Sequence, residues 1–148
     1  LTLPVYRALA EHPNIAAVKE ASGDLGAVAR LMAELGNRLA VYSGNDDQIT
    51  ALCALGAKGV ISVLSNVAPK VAHDIAMEAI NGNVAESARL QIEYIDLINA
   101  LFCEVNPIPV KATMKLIGYD CGECRLPLTP IRKSNLEKLI QYFHSIND

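Results

Sequence analysis

In Ile15-Ala16-Ala17-Val18-Lys19-Glu20-Ala21 a short, continuously apolar run, Ile15 to Val18, ends on a lysine. It lacks the alternation of a half-exposed sheet, so it reads as a strand over Ile15–Lys19 of the kind that parallel sheets cover on both faces. A lysine at the end of such a strand is costly as a cation, because desolvation disfavours the charged form. A neutral amine there is a nucleophile for a carbonyl carbon and gives a Schiff base. The plainer alternative is a strand-end lysine that reaches out to water or pairs with Glu20.

Working outward, the same kind of strand returns twice. Leu39–Tyr42 is apolar and ends in Ser43-Gly44-Asn45-Asp46-Asp47, and Gly59-Val60-Ile61-Ser62-Val63 is followed by Leu64-Ser65-Asn66. Helical patterns lie between them. Leu3 to Glu11 carries Pro4 in its first turn, where a missing N–H is harmless. Asp24 is placed to cap a helix in which Leu25, Val28, Leu31, Met32 and Leu35 recur at helical spacing and which Gly36 stops. Gln48–Leu55 is a further helix, stopped by Gly56. Strand–helix units repeating at this spacing imply right-handed crossovers and a parallel sheet.

From Pro69 onward the pattern is helical only, over about Pro69–Asn81, Val84–Cys103, Pro109–Ile117 and Lys133–Ile146. Gly82 separates the first two, and Asn106-Pro107-Ile108-Pro109 forces an extended break before the third. The fold class is therefore α/β: three β/α units over residues 1–81, then a helical region over residues 82–148. Three parallel strands leave both sheet edges bare, so the chain is expected to be the back part of a larger sheet. Each polar or glycine-rich cluster follows a strand, which is where parallel α/β folds place their sites. Lys19 thus stands beside two loops of small residues, and Gly44 lets a ligand approach the backbone closely.

Composition bounds the rest. The chain has 148 residues, 51% of them apolar, enough for a sizeable core, and a net charge of -3 with interspersed signs. That balance argues against a nucleic-acid or polybasic membrane surface. No apolar run approaches the roughly 18 residues of a membrane span and no signal-peptide pattern opens the chain; the expected location is the cytoplasm. Cys121-Gly122-Glu123-Cys124 has metal or redox spacing, but no second pair accompanies it, and His12, His73 and His144 are scattered. A zinc site wants four ligands, and a redox pair wants a strand-to-helix junction. Two ordinary loop thiols and no metal site are expected, with a CxxC redox protein as a distant alternative.

Five segments together carry a resemblance. Val18-Lys19-Glu20-Ala21-Ser22-Gly23, Tyr42-Ser43-Gly44-Asn45-Asp46-Asp47, and Gly59-Val60-Ile61-Ser62-Val63 with Asn66 are joined by Glu104-Val105-Asn106-Pro107-Ile108-Pro109-Val110-Lys111 and Arg125-Leu126-Pro127-Leu128-Thr129-Pro130. In this order and spacing, over essentially all 148 residues, the chain resembles the dihydrodipicolinate synthase (4-hydroxy-tetrahydrodipicolinate synthase) family. The first three segments are shared with the wider pyruvate-dependent class I aldolases, N-acetylneuraminate lyase included; the last two are more specific to the synthase.

The resemblance implies the C-terminal part of a (β/α)8 TIM barrel followed by a C-terminal helical region. It implies a lyase that condenses pyruvate with aspartate 4-semialdehyde in the diaminopimelate route of lysine biosynthesis, with Lys19 forming the Schiff base. The backbone around Ile61 would line the imine, and Gly44 would lie near the pocket floor. No separate cofactor and no metal are implied. A homotetramer, a dimer of dimers, is implied as well, with Leu25 and Leu55 as candidate contacts. The family's front half does not match anything here, so its carboxylate-binding threonines, relay tyrosines and arginine have no place on this chain. His12 and Tyr6 are poor substitutes. Without acid–base help typically worth 10²–10⁴-fold, the 148 residues alone are expected to be nearly inactive. A sugar-acid aldolase and a non-catalytic half of a split enzyme remain the other readings.

Overall fold

The computed structural model describes residues 1–147, and the side chains of residues 144–147 lie outside that description. His144 and the last residue of the expected helical region therefore fall outside the described side chains. Helix α1 (Leu3–Ala10) leads into strand β1 (Ala17–Glu20), helix α2 (Leu25–Leu35) and strand β2 (Ala40–Ser43). A 3-10 turn at Asp46–Gln48 runs into α3 (Ile49–Ala54). A second, at Leu64–Asn66, precedes α4 (Pro69–Ile80). Then come α5 (Val84–Glu93), α6 (Ile95–Leu101), α7 (Ile108–Leu116) and α8 (Lys133–Asn147).

β1 and β2 are parallel and in register, with Lys19 opposite Tyr42 and Glu20 opposite Ser43. The expected third strand is shorter than Gly59–Val63. It reduces to a bridge between Ser43 and Val60, held by Ser43 N–H to Gly59 O at 2.9 Å and Ile61 N–H to Ser43 O at 2.8 Å. Beyond Ile61 the chain turns, because the Asp46 carboxylate takes the Val63 and Leu64 N–H groups, each at 2.9 Å. The apolar run is there, but its last residues bond to a side chain instead of a neighbouring strand.

Helix starts and stops follow local chemistry. Asp24 caps α2 by accepting from Ala27 N–H at 2.9 Å. Gly36 ends that helix in a right-handed conformation, so its role is close approach: a Cβ there would meet Met32 O at 2.6 Å. The helix expected over Val84–Cys103 is divided at Tyr94 into α5 and α6. Neither proline nor glycine stands at that point, and Ile98 N–H still reaches Tyr94 O at 3.0 Å. The Asn106–Pro107 and Leu126–Pro127 peptides are cis.

Two apolar clusters hold the elements together. The smaller joins Tyr6 of α1, Leu31 and Leu35 of α2, and Leu39 and Val41 beside and within β2. The larger runs from Val28, Ile49 and Leu52 through Ile75 and Ala79 to Leu97, Ile98, Leu101 and Val110. It is continuous across Gly82, so α3 and α4 share one core with α5, α6 and α7.

A buried polar knot reinforces the same junction. Ser87 of α5 is fully buried; its hydroxyl donates to Ile75 O at 2.6 Å and lies 2.8 Å from Thr50 Oγ1. Gln91 accepts from Thr50 N–H at 2.8 Å, and its amide donates to Asp47 O. Satisfied buried groups of this kind fix a geometry that apolar packing alone leaves loose. Through Ser87 and Gln91, α5 holds the segment that follows β2.

Candidate active site

The three strand-end loops are tied to one another. After β1, the chain turns at Glu20–Ser22, and Gly23 O accepts from the Gln48 amide at 3.2 Å. After β2, Ser43 is buried; its hydroxyl donates to Asn45 O at 2.8 Å and accepts from Asn45 N–H at 3.2 Å. Asp46, 1% exposed, then reaches across to the Val63 and Leu64 amides of the third loop. Its second oxygen, Oδ1, has no protein partner.

Lys19, Gly44 and Ile61 come together on this rim. Gly44 N–H donates to Glu20 O at 2.7 Å, which seats it beside the end of β1. A Cβ built on Gly44 would lie 2.6 Å from Ala21 Cβ, 2.7 Å from Lys19 Cε and 3.1 Å from Lys19 Cγ. Gly44 is thus a glycine because the Lys19 side chain lies across it, a closer approach than any side chain permits. Ile61 hangs from the same register through its bond to Ser43 O, with its side chain 50% exposed.

The expectation of a covered strand around Lys19 is corrected. Ala16, Ala17 and Lys19 are exposed, and only Glu20 of β1 is buried. β1 has a strand partner on one edge only among the described residues, and Lys19 on it is exposed. The desolvation expected from the apolar run is therefore not supplied by this chain. The alternative pairing with Glu20 is also not what forms, because successive strand residues face opposite ways.

Glu20 bonds elsewhere, and sequence reasoning missed it. Its Oε2 accepts from Tyr6 OH at 2.7 Å and its Oε1 from Ser22 N–H at 2.7 Å. Burial alone would raise the Glu20 carboxyl, but these donors outweigh it and hold the group below its ordinary value. Burial first, then the bond to Glu20 and its negative charge, push Tyr6 up to about 12. The available signals were a carboxylate at the end of an apolar strand and a tyrosine on the packed face of α1. Tyr6, Lys19, Glu20, Ser22 and Arg30 border a cleft of about 400 Å³ between α1 and α2.

These shifts set two pH windows of opposite sign. The folded value of Glu20 is depressed, so its contribution to stability is present above the ordinary 4.5 and is lost as pH falls through the lower folded value. That of Tyr6 is raised, so its contribution is present below 10.0 and is lost as pH rises towards about 12. An alkaline difference titration of phenolate absorbance, full-length protein minus its Tyr6→Phe variant, is expected to show one tyrosine ionising near 12. A midpoint at the ordinary 10.0 would mean that the bond to Glu20 is absent in solution.

The remaining candidates lie apart from this rim. All four cysteines are free; Cys103 and Cys121 are exposed, Cys124 is partly covered and Cys53 is buried. Among the described residues, no group of three His, Cys, Asp or Glu side chains converges to hold a metal ion. Among the described residues, no helix is long and apolar enough to cross a membrane.

Comparison with known proteins gives this rim its context. Residues 1–145 match the Dihydrodipicolinate synthetase family. A 4-hydroxy-tetrahydrodipicolinate synthase of Brachyspira hyodysenteriae is 50% identical over 137 residues, covering 93% of this chain and 46% of that protein. The crystal structure of dihydrodipicolinate synthase from Aquifex aeolicus superposes with a TM-score of 0.92 at 34% identity, covering 97% of this chain and 49% of its own. That of the Acinetobacter baumannii enzyme, complexed with pyruvate, gives 0.89 at 40% identity, covering 95% of this chain and 48% of its own. The chain spans about half the length of these relatives. Its fold is the C-terminal part of their TIM barrel with the helices that follow. On sequence and on structure alike, the chain belongs to the dihydrodipicolinate synthetase family.

Proposed function

We propose that this chain is the part of a 4-hydroxy-tetrahydrodipicolinate synthase that carries the Schiff-base lysine, Lys19. The observation that carries the reading is the seat of Lys19: its side chain lies across Gly44, at the carboxyl ends of parallel strands, in a chain 50% identical to a protein of that name. The Lys19 amine attacks the ketone carbon of pyruvate, and loss of water leaves an imine. The protonated imine draws electrons from the adjacent methyl group, which gives up a proton and becomes the enamine carbon. That carbon then forms the new bond to the aldehyde carbon of aspartate 4-semialdehyde, whose oxygen takes the electron pair and a proton. The enamine returns to the imine, and attack by the bound substrate's own amine at the imine carbon releases the Lys19 amine. Backbone at Ile61 lines the imine, and Gly44 leaves room for it at the pocket floor.

On this reading residues 1–81 carry the chemistry and residues 82–148 form a supporting helical region. The cover that Lys19 lacks here is supplied by the rest of the barrel, about 250 residues in all. The protein is a homotetramer in the cytoplasm on this reading, and Leu25 and Leu55, which are 40% and 45% exposed, are available for contacts between its subunits.

The test is borohydride reduction of the full-length protein with pyruvate, followed by peptide mass mapping. The expected result is a reduced pyruvyl adduct on Lys19. A protein that turns over normally yet gives an adduct elsewhere, or none, would overturn the assignment. Replacing aspartate 4-semialdehyde by sugar-acid substrates in the same assay separates the synthase from its aldolase relatives.

A further inference from the structure

We propose that Tyr6 and Glu20 form a positioning clamp that sets where the Lys19 side chain lies. This rests on the Schiff-base reading above and adds to it a pair that touches no reacting atom. Glu20 follows Lys19 directly and is 8% exposed. Each of its carboxylate oxygens has its own donor: Tyr6 OH from α1 at 2.7 Å, and Ser22 N–H at 2.7 Å. Its carbonyl accepts from Gly44 N–H, also at 2.7 Å. Three bonds from three parts of the chain therefore converge on one residue.

The bond to Ser22 closes the turn around Ala21. That turn and Lys19 supply both atoms that face Gly44 most closely, Ala21 Cβ and Lys19 Cε. If the Glu20 carboxylate loses its donors, the turn is free to relax and both walls of the glycine seat move with it. Tyr6 reaches Glu20 from a helix packed on Leu31, Leu35 and Val41, so the clamp is referred to the core. A displacement near 1 Å at a reacting group can cost on the order of 10²-fold in rate. The other charged side chains in the same cleft are Lys19 of β1 and Arg30 of α2; neither side chain forms an ion pair with the Glu20 carboxylate.

The experiment uses the full-length protein and its Tyr6→Phe, Glu20→Gln and Glu20→Ala variants, with Lys19→Arg as control. The readouts are the rate of borohydride-trapped adduct formation against pyruvate concentration, and the thermal midpoint. Glu20→Ala is expected to slow adduct formation roughly 10- to 100-fold at saturating pyruvate, with the half-saturating concentration changed far less. Glu20→Gln keeps an oxygen for Ser22 N–H and is expected to recover most of that rate. Tyr6→Phe is expected to fall between the two. Lower thermal midpoints with unchanged rates per folded molecule would show a merely structural pair and overturn the clamp. If Glu20→Ala does not fold, wild-type rates in both other variants overturn it equally. A wild-type protein that gives no adduct at Lys19 removes the Schiff-base reading and the clamp together, whereas adduct in the wild type with unaffected variants removes the clamp alone.

Discussion

Lys19→Arg in the full-length protein is expected to abolish turnover, with kcat lower by on the order of 10⁴- to 10⁶-fold, as when a group of a covalent catalytic machinery is removed. Arginine keeps the length and positive charge of the side chain, so packing at Gly44 and the local field change little. It has no deprotonated form at accessible pH and cannot add to a ketone. The loss therefore isolates the chemistry of the amine from its bulk. Steady-state turnover with pyruvate and aspartate 4-semialdehyde measures it, and thermal unfolding should remain close to the parent. Residual turnover within about tenfold of the parent, a difference of only ~1.4 kcal/mol in the barrier, would mean that the reaction does not pass through a Lys19 imine.

Gly44→Val carries the second largest expected effect, for steric reasons. The new Cβ would lie 2.6 Å from Ala21 Cβ and 2.7 Å from Lys19 Cε, well inside contact. The two neighbours can yield in different ways. Ala21 has no rotamer to change, so relief there requires movement of the turn that Glu20 and Ser22 close. The Lys19 tail can swing aside, but that takes its amine off the line it now holds. The expected stability cost is about 1–3 kcal/mol for overpacking. The expected loss of kcat is roughly 10²-fold, as for a reacting group displaced by an ångström. Gly44→Ala introduces the same Cβ without the branches, and a graded series Gly, Ala, Val in kcat would show that turnover depends on the space at this position. Parental kcat in both variants would show that the lysine does not need this seat.

Much of the fold is legible in the sequence because it rests on short-range patterns. The apolar runs mark β1 and β2, Asp24 marks the start of α2, and Pro69 marks the start of α4. The third strand is different. Its shortening depends on Asp46 bonding to Val63 and Leu64, 17 and 18 residues away, and no periodicity reports a side chain that captures distant amides. Likewise, α5 and α6 share one helical period, and the irregularity at Tyr94 carries no proline or glycine to betray it.

The site divides along the same line. Lys19 and Gly44 are legible as candidates because each stands at the end of an apolar run, where parallel folds place their chemistry, whereas Ile61 is a candidate through the family resemblance alone. The exposure of Lys19 is not a local property: identical residues are covered or bare according to what lies across the sheet. The Tyr6–Glu20 bond spans 14 residues and joins a helix to a strand end. It has no spacing rule, and only burial of a carboxylate beside a phenol reveals it.

The apolar cluster that passes beneath Gly82 has a practical consequence for anyone dividing this polypeptide. A cut there, although it falls in a tight turn between two helices, would strip Leu97, Ile98 and Leu101 from Leu52, Ile75 and Ala79 and leave water on both fresh faces. It would also take the Gln91 acceptor from the Thr50 amide and the Ser87 hydroxyl from the Ile75 carbonyl and Thr50. The trailing helices are in this sense the underside of the rim that carries Lys19, and trimming them should unsettle the loop that bears Gly44 without touching Lys19 itself.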